Sequence, residues 1–97
     1  MQIENLIDIN EICASHNIEI SFIISLQKTG LIEIISVDDA MYIETEQLYQ
    51  LEKWINLHYD LDINIEGIET INYLLDRIRT LQNEIGELRN RLRLYEP

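Results

Sequence analysis

The last third of the chain carries a strict hydrophobic repeat. Between residues 71 and 95, apolar side chains recur in alternating steps of three and four residues. They are Ile71, Leu74, Ile78, Leu81, Ile85, Leu88, Leu92 and Tyr95. This is the heptad pattern of a coiled coil, with mostly isoleucine at the a positions and leucine at the d positions, a choice that favours two strands. We therefore predict a long C-terminal helix that forms a homodimer.

The direction of the paired helices is left open by this pattern. In a parallel pair, Glu84 would face Arg89 and Arg91 would face Glu96, and both pairs would attract. An antiparallel pair is also compatible with the repeat. So is a single amphipathic helix that packs on its own domain.

The residues near the N-terminus predict two short helices. The first helix is predicted to begin at Asp8, a good N-cap with Glu11 three residues on, and to end at a turn near Asn17. The second is predicted within Ile18 to Thr29, with Gly30 as its stop signal. Two short helices joined by a tight turn are typical of a helix-turn-helix.

A hairpin and two further helices are predicted after the helix-turn-helix. β-prone runs at 31–36 and 41–43 predict a two-stranded wing. A third helix is expected from residue 44 or 45 to about Tyr59, with Trp54 in the core. Asn64 is a suitable cap for a fourth helix that continues into the heptads.

The predicted fold is therefore mostly α. It consists of a winged helix-turn-helix domain at residues 1–63 and a dimerisation helix at 64–97. The opening residues 1–6 are compatible with a short strand or with a disordered lead-in.

Acidic residues are concentrated in the N-terminal part of the chain. The net charge is −11, and residues 1–63 contribute −10 of it, with twelve carboxylates against Lys28 and Lys53. Such a surface repels a phosphate backbone and attracts a basic partner. A soluble acidic domain without a charged partner is the alternative, and charge alone does not separate the two.

Catalytic and membrane signals are missing from the sequence. It contains no apolar run of about 20 residues and no secretory signal pattern, so we expect a cytoplasmic protein. Cys13, His16 and His58 do not make a zinc set, and we expect the Cys13 thiol to be buried and inert. There is also no glycine-rich phosphate loop and no nucleophile beside a base. We therefore expect neither an enzyme nor a cofactor, metal or small-molecule substrate.

The order of elements resembles the winged-helix domain of MerR-type regulators, which place a wing after two short helices and end in a dimerising coil. Those regulators present basic side chains from the second helix to the DNA major groove. Here the second helix contains no arginine, and the wing carries Glu33, Asp38 and Asp39. Because phosphate contacts supply much of the affinity for DNA, we expect nucleic-acid binding to be unlikely. A MerR-like transcriptional regulator remains the alternative function.

The chain is more similar to the chaperone-modulator (CbpM-like) family, whose members look like MerR domains without the DNA-reading residues. The resemblance is carried by Ile18-Glu19, Gly30-Leu31-Ile32-Glu33, Ile43-Glu44, Asp60-Leu61-Asp62-Ile63-Asn64 and the coil from Leu81 to Leu92. Such proteins dock on the J-domain of a DnaJ-like co-chaperone and stop it from stimulating its DnaK-type chaperone. The resemblance implies a binding role by competition, without chemistry.

We expect partner binding to involve carboxylates near the junction of the helix-turn-helix, the wing and the third helix, around an exposed apolar side chain. The predicted partner-binding residues are Glu19, Phe22, Ile24, Asp38, Asp39, Asp60 and Asp62. Each carboxylate is also compatible with a solubilising or capping role.

Overall fold

The computed structural model describes residues 5–95 of the 97-residue chain. The elements, in chain order, are β1 (Leu6–Asp8), α1 (Ile9–His16), α2 (Ile20–Lys28), β2 (Ile35–Val37), β3 (Ala40–Glu44), a 3₁₀ turn (Thr45–Gln47), α3 (Leu48–Ile55), a π-helical turn (Asn56–Asp60) and α4 (Ile65–Tyr95). The described chain is therefore mostly helical with one small sheet, as predicted.

The helix-turn-helix forms where the local signals predict it. The carboxylate of Asp8 caps α1 by accepting a hydrogen bond from the backbone N–H of Asn10 at 2.7 Å. Asn17 ends α1 in the left-handed conformation, with φ of 54°, which its short polar side chain tolerates. Gly30, with φ of 80°, closes the turn after α2.

The sheet has three antiparallel strands in the order β1-β3-β2. β2 and β3 form the predicted hairpin, and its turn residues Asp38 and Asp39 have φ of 49° and 65°, as two-residue hairpin turns require. The prediction of a two-stranded wing is wrong in its strand count, because Leu6–Asp8 pairs with the other edge of β3. A three-residue strand is too short to show alternation, and residues 1–4 of the predicted opening segment lie outside the described residues.

The β-prone run at 31–36 becomes a strand only at Ile35. Before that, the backbone N–H of Leu31 donates to the Leu26 carbonyl at 2.9 Å, which closes the end of α2. The side chain of Gln47 then bonds both backbone groups of Glu33: its Oε1 accepts from the N–H at 2.9 Å, and its Nε2 donates to the carbonyl at 3.1 Å. The backbone of Glu33 therefore forms its hydrogen bonds with the Gln47 side chain and not with a neighbouring strand.

One apolar core joins the helix-turn-helix, β3, α3 and the start of α4. Its most deeply buried side chains, with an exposed fraction of 1% or less, are Ile9, Ile23, Leu26, Ile43, Leu51, Trp54 and Ile68. The prediction that Trp54 packs in the core is confirmed. α1, α2, β3, α3 and α4 each contribute one or two of these buried side chains, and their shared packing fixes α2 relative to α3.

Helix α4 leaves this core after its first turn. Asn64 caps it, as predicted, by accepting a hydrogen bond at Oδ1 from the backbone N–H of Gly67 at 2.8 Å. Ile68 is the last fully buried side chain of the helix among the described residues. The radius of gyration of 18.1 Å exceeds the roughly 13 Å of a compact domain of this length, because the helix projects from the domain.

Candidate functional site

A shallow groove lies between the start of α2 and the π-helical turn. Its volume is about 180 Å³, and its lining includes Glu19, Ser21, Phe22, His58, Tyr59 and Ile65. We call it the α2 groove. It lies beside the helix that corresponds to the DNA-reading helix of a helix-turn-helix, and neither lysine nor arginine lines it.

Three aromatic rings line the α2 groove, and we call them its aromatic wall. Phe22 is buried and stacks on His58 with 4.5 Å between the ring centroids and 18° between the ring planes. Tyr59 meets Phe22 edge to face at 5.4 Å and His58 at 4.9 Å. These are favourable aromatic geometries, so the three rings pack as one unit.

The π-helical turn presents His58 and Tyr59 to α2. In this turn the backbone N–H of Leu61 donates to the carbonyl of Asn56 at 3.3 Å, five residues back. His58 Nδ1 carries its proton toward the carbonyl of Ile63 at 2.8 Å, because a carbonyl can only accept. Such turns are rare and occur often at functional sites.

Glu19 stands at the N-cap position of α2 but does not cap the helix with its side chain. Its Oε2 instead accepts a hydrogen bond from the hydroxyl of Ser21 at 3.2 Å. Its backbone N–H donates to the hydroxyl oxygen of Tyr59, also at 3.2 Å. The exposed carboxylate is therefore held at the mouth of the α2 groove and keeps acceptor capacity for a ligand.

The structure divides the predicted partner-binding residues between two places. Glu19 lies next to the segment that contains Asp60 and Asp62, through its hydrogen bond to Tyr59. Asp38 and Asp39 instead form the exposed tip of the hairpin. Asp38, Asp39 and Asp62 all have positive φ, so each of them also has a conformational role as a turn residue.

The predicted exposed apolar contact needs correction. Phe22 has only 5% of its surface exposed, because it packs beneath His58 and Tyr59. Ile24 is half-buried. The apolar side chains with more surface near this site are Ile20, at the start of α2, and Leu61, after the π-helical turn, with exposed fractions of 40% and 59%.

Sequence reasoning missed the role of Tyr59 and Ser21. Neither residue belongs to a recognisable motif, and the hydrogen bond from Glu19 to Tyr59 joins residues 40 positions apart. His58 lies within the predicted third helix, four residues after Trp54. The sequence carries no signal that the helix widens into a π-helical turn at this point.

A second, more open cleft of about 450 Å³ lies beside Gln47 and adds to the acidic surface. Its lining contains Glu33, Glu44 and Glu46 but no aromatic ring. Within residues 5–95, no group of three or more His, Cys, Asp or Glu side chains is arranged to hold a metal ion. Over the same residues, none of the helices is both long and apolar enough to cross a membrane.

The heptad side chains of α4 are exposed along its projecting part. Ile71 is half-buried. The other seven heptad side chains have exposed fractions between 46% and 86%; they are Leu74, Ile78, Leu81, Ile85, Leu88, Leu92 and Tyr95. Beyond its first turns, α4 therefore does not pack on its own domain, which removes the fold-back alternative for this stripe. Of the two parallel charge pairs, Arg91 with Glu96 involves a residue outside the described part of the chain.

Comparison with known families agrees with the arrangement of helices and hairpin. The sequence model for MerR HTH family regulatory proteins matches residues 7–90. The chain belongs to the MerR family of helix-turn-helix regulatory proteins. Neither a curated protein nor a solved structure matches it.

Membership of the MerR family makes the surface of α2 the informative feature. The polar side chains of α2 are those of Ser21, Ser25, Gln27 and Lys28, and Lys28 is its single cation. The hairpin adds two carboxylates at its tip. This MerR domain therefore combines the family architecture with a surface of the opposite charge to that of a DNA-binding protein.

Proposed function

We propose that this MerR-family chain is a protein-binding module that acts as a chaperone modulator. It would bind the J-domain of a DnaJ-like co-chaperone and prevent that domain from stimulating a DnaK-type chaperone. The observation that carries this proposal is the concentration of carboxylates around the helix-turn-helix, where Glu19, Asp38 and Asp39 are exposed and residues 1–63 contain two lysines and no arginine. Such a surface complements a basic helix of the J-domain.

The proposed mechanism is competition for one surface of the co-chaperone. Carboxylates at the hairpin tip would steer the basic helix toward the domain. Those beside the α2 groove, Glu19, Asp60 and Asp62, would contact it, with the exposed apolar surface of Ile20 and Leu61 nearby. No covalent step is involved, which agrees with the expectation that the chain is not an enzyme.

A DNA-binding transcriptional regulator is the second candidate, and family membership is the observation that favours it. It would require phosphate contacts, each of which makes affinity depend steeply on salt. Residues 1–63 offer two lysines for that purpose. The two functions therefore predict opposite partners for the same face of the domain.

One experiment separates the two functions. The purified full chain is titrated into a J-domain co-chaperone and, separately, into duplex DNA, at about 50 mM and about 200 mM salt. We expect the co-chaperone to bind, more weakly at the higher salt, and DNA to be left free at both. Binding of DNA without binding of the co-chaperone would replace the first function by the second.

We also propose that the chain works as a homodimer joined along the apolar stripe of α4. Seven exposed apolar side chains lie in heptad register on this helix and form a surface that is costly to leave in water. A dimer would carry two acidic domains and so could engage two co-chaperone molecules or a dimeric one. In a background without the native thiol, Cys13→Ala, the single substitutions Leu74→Cys and Leu92→Cys would each cross-link with the same position of the second copy in a parallel pair. In a fully overlapping antiparallel pair, where a positions face d positions, Leu74→Cys would instead cross-link with Leu92→Cys.

A further inference from the structure

We infer that the α2 groove receives the guanidinium group of an arginine side chain from a basic segment of the protein partner. The inference rests on the proposed function for its choice of a basic protein as the ligand. It goes further by assigning the contact to one cavity and one side-chain chemistry. The groups that would make the contact are the Glu19 carboxylate and the rings of Tyr59 and His58.

The carboxylate of Glu19 has acceptor capacity that the domain does not use. The side chain of Glu19, at the N-cap position of α2, makes no cap hydrogen bond to a backbone N–H of the helix. It is turned toward Ser21, whose hydroxyl donates to Oε2 at 3.2 Å. Glu19 Oε1 therefore remains available to a donor from outside, and a guanidinium group can supply two donors.

The aromatic wall offers a ring surface to a planar cation. Tyr59 keeps 43% of its surface exposed although its ring packs against both Phe22 and His58. An arginine side chain can place its planar head over such a ring and its aliphatic stem along apolar surface. A lysine ammonium is a compact, strongly hydrated charge and gains less from a flat wall. The groove therefore favours arginine.

The charge around the groove points in the same direction. The N-terminus of α2 carries a partial positive charge that would by itself favour an anion. The full negative charge of Glu19 outweighs this partial charge. Neither lysine nor arginine lines the groove to hold an anion, and exposed Asp60 follows Tyr59 directly.

The test uses the full chain and three probe peptides. They are amidated amphipathic peptides of leucine and lysine that differ at one central position, which is arginine, lysine or citrulline. Citrulline has nearly the shape of arginine without its charge. In a titration followed by amide NMR, we expect the arginine peptide to shift the signals of Glu19, Ser21 and Tyr59, and the citrulline peptide to bind about tenfold more weakly.

A matched pair of variants isolates the contribution of the groove. Glu19→Gln and Glu87→Gln each remove one negative charge, and Glu87 lies on α4, about 33 Å along the helix from Ile65. We expect Glu19→Gln to weaken the arginine peptide about tenfold and Glu87→Gln to leave its affinity unchanged. Equal effects of the two variants, equal binding of the citrulline peptide, or signal changes confined to other surfaces would overturn the inference. A thermal unfolding curve checks that both variants are folded.

The same variants separate this inference from the proposed function. If the J-domain co-chaperone binds the wild-type chain and Glu19→Gln equally well, the groove is not its contact, and the inference fails while the proposed function stands. If the arginine peptide enters the groove but the co-chaperone does not bind, the choice of co-chaperone fails and the assignment of the groove stands.

Discussion

The hydroxyl oxygen of Tyr59 accepts a hydrogen bond from the backbone N–H of Glu19 at 3.2 Å and so ties the start of α2 to the π-helical turn. Replacing Tyr59 by phenylalanine keeps the ring that packs on Phe22 and removes this acceptor. In the variant, this exposed N–H can donate to water instead. We therefore expect urea unfolding to show a modest decrease in the free energy of unfolding, of about 0.5–1.5 kcal/mol.

Tyr49→Phe is the control for this prediction. Tyr49 is 76% exposed, so the loss of its hydroxyl should change the free energy of unfolding by less than about 0.5 kcal/mol. If the two variants unfold at the same urea concentration, the hydrogen bond between Tyr59 and Glu19 contributes nothing to stability.

The two glycines of α4 should respond in opposite ways to alanine. At Gly67 a Cβ atom would lie 2.7 Å from Ile63 Cγ2 and 3.1 Å from Asn64 Oδ1, so the cap of the helix must shift. At Gly86 it would meet nothing within 4 Å. We expect Gly67→Ala to lower the free energy of unfolding by about 1 kcal/mol or more and Gly86→Ala to raise it by up to about 1 kcal/mol.

Urea unfolding followed by circular dichroism measures both effects. Glycine lowers helix stability wherever it has no structural task, so the gain at Gly86 is the ordinary propensity effect. Stabilisation by both substitutions would mean that the contact of Gly67 with Ile63 relaxes without cost.

Local signals were sufficient to predict most of the fold. Helix ends were predicted from the capping side chains of Asp8 and Asn64 and from the conformational freedom of Gly30. The long helix α4 was predicted from its heptad repeat, which continues for more than three heptads. The third strand was one of two alternatives left open for the opening residues, because Leu6–Asp8 is held by pairing with β3, some 36 residues away, and not by its own composition. Pairing between segments so far apart in sequence produces no hydrophobic periodicity within the three residues of the strand.

The candidate site was predicted only in part, for the same reason. Glu19, Asp60 and Asp62 could be singled out because carboxylates concentrate in this part of the chain. The aromatic wall could not, because it depends on a π-helical turn and on rings contributed by α2 and by the segment after α3. The burial of Phe22 follows from that packing and reverses the expectation that it is exposed.

Removing the charges at the hairpin tip should slow binding to a basic partner without unfolding the hairpin. Both Asp38 and Asp39 have positive φ, so substitution by lysine would strain the turn. An effect of the altered charge on binding could then not be separated from an effect of misfolding. Asparagine tolerates this conformation and removes the same charge. We expect Asp38→Asn with Asp39→Asn to lower the association rate with the co-chaperone a few-fold and to flatten its salt dependence.

Stopped-flow mixing at several salt concentrations measures the association rate of this double variant. The dissociation rate should stay nearly constant, since steering charges act mainly before contact. Removal of two charges on the outer face of α4, by Asp76→Asn with Glu87→Gln, is the matched control. Unchanged association kinetics for the hairpin variant would exclude the hairpin tip from steering.

The Cys13 thiol should react slowly in the folded chain. Cys13 is half-buried, not fully buried as expected, and burial raises the pKa of its thiol above the ordinary value. Because only the thiolate is nucleophilic, alkylation near neutral pH should be slower than in the same chain unfolded in urea. The raised pKa also means that any stability contributed by the protonated thiol falls as the pH rises above the ordinary thiol pKa.

Disruption of the α4 stripe should convert a dimer into a folded monomer. Leu81 occupies a d position and is 46% exposed, while Asn83 lies on the opposite, outer face of the same turn. Leu81→Glu places a charge inside the proposed seam, and Asn83→Glu adds the same charge outside it. Because a buried unpaired carboxylate is costly, we expect sedimentation velocity to give a monomer for the first variant and a dimer for the second.

The folding of both variants can be checked separately. The buried core of the domain extends along α4 only as far as Ile68, so both variants should keep the near-ultraviolet circular dichroism signal of buried Trp54. A monomeric wild-type chain, or a dimer that survives Leu81→Glu, would mean that the exposed stripe has another occupant.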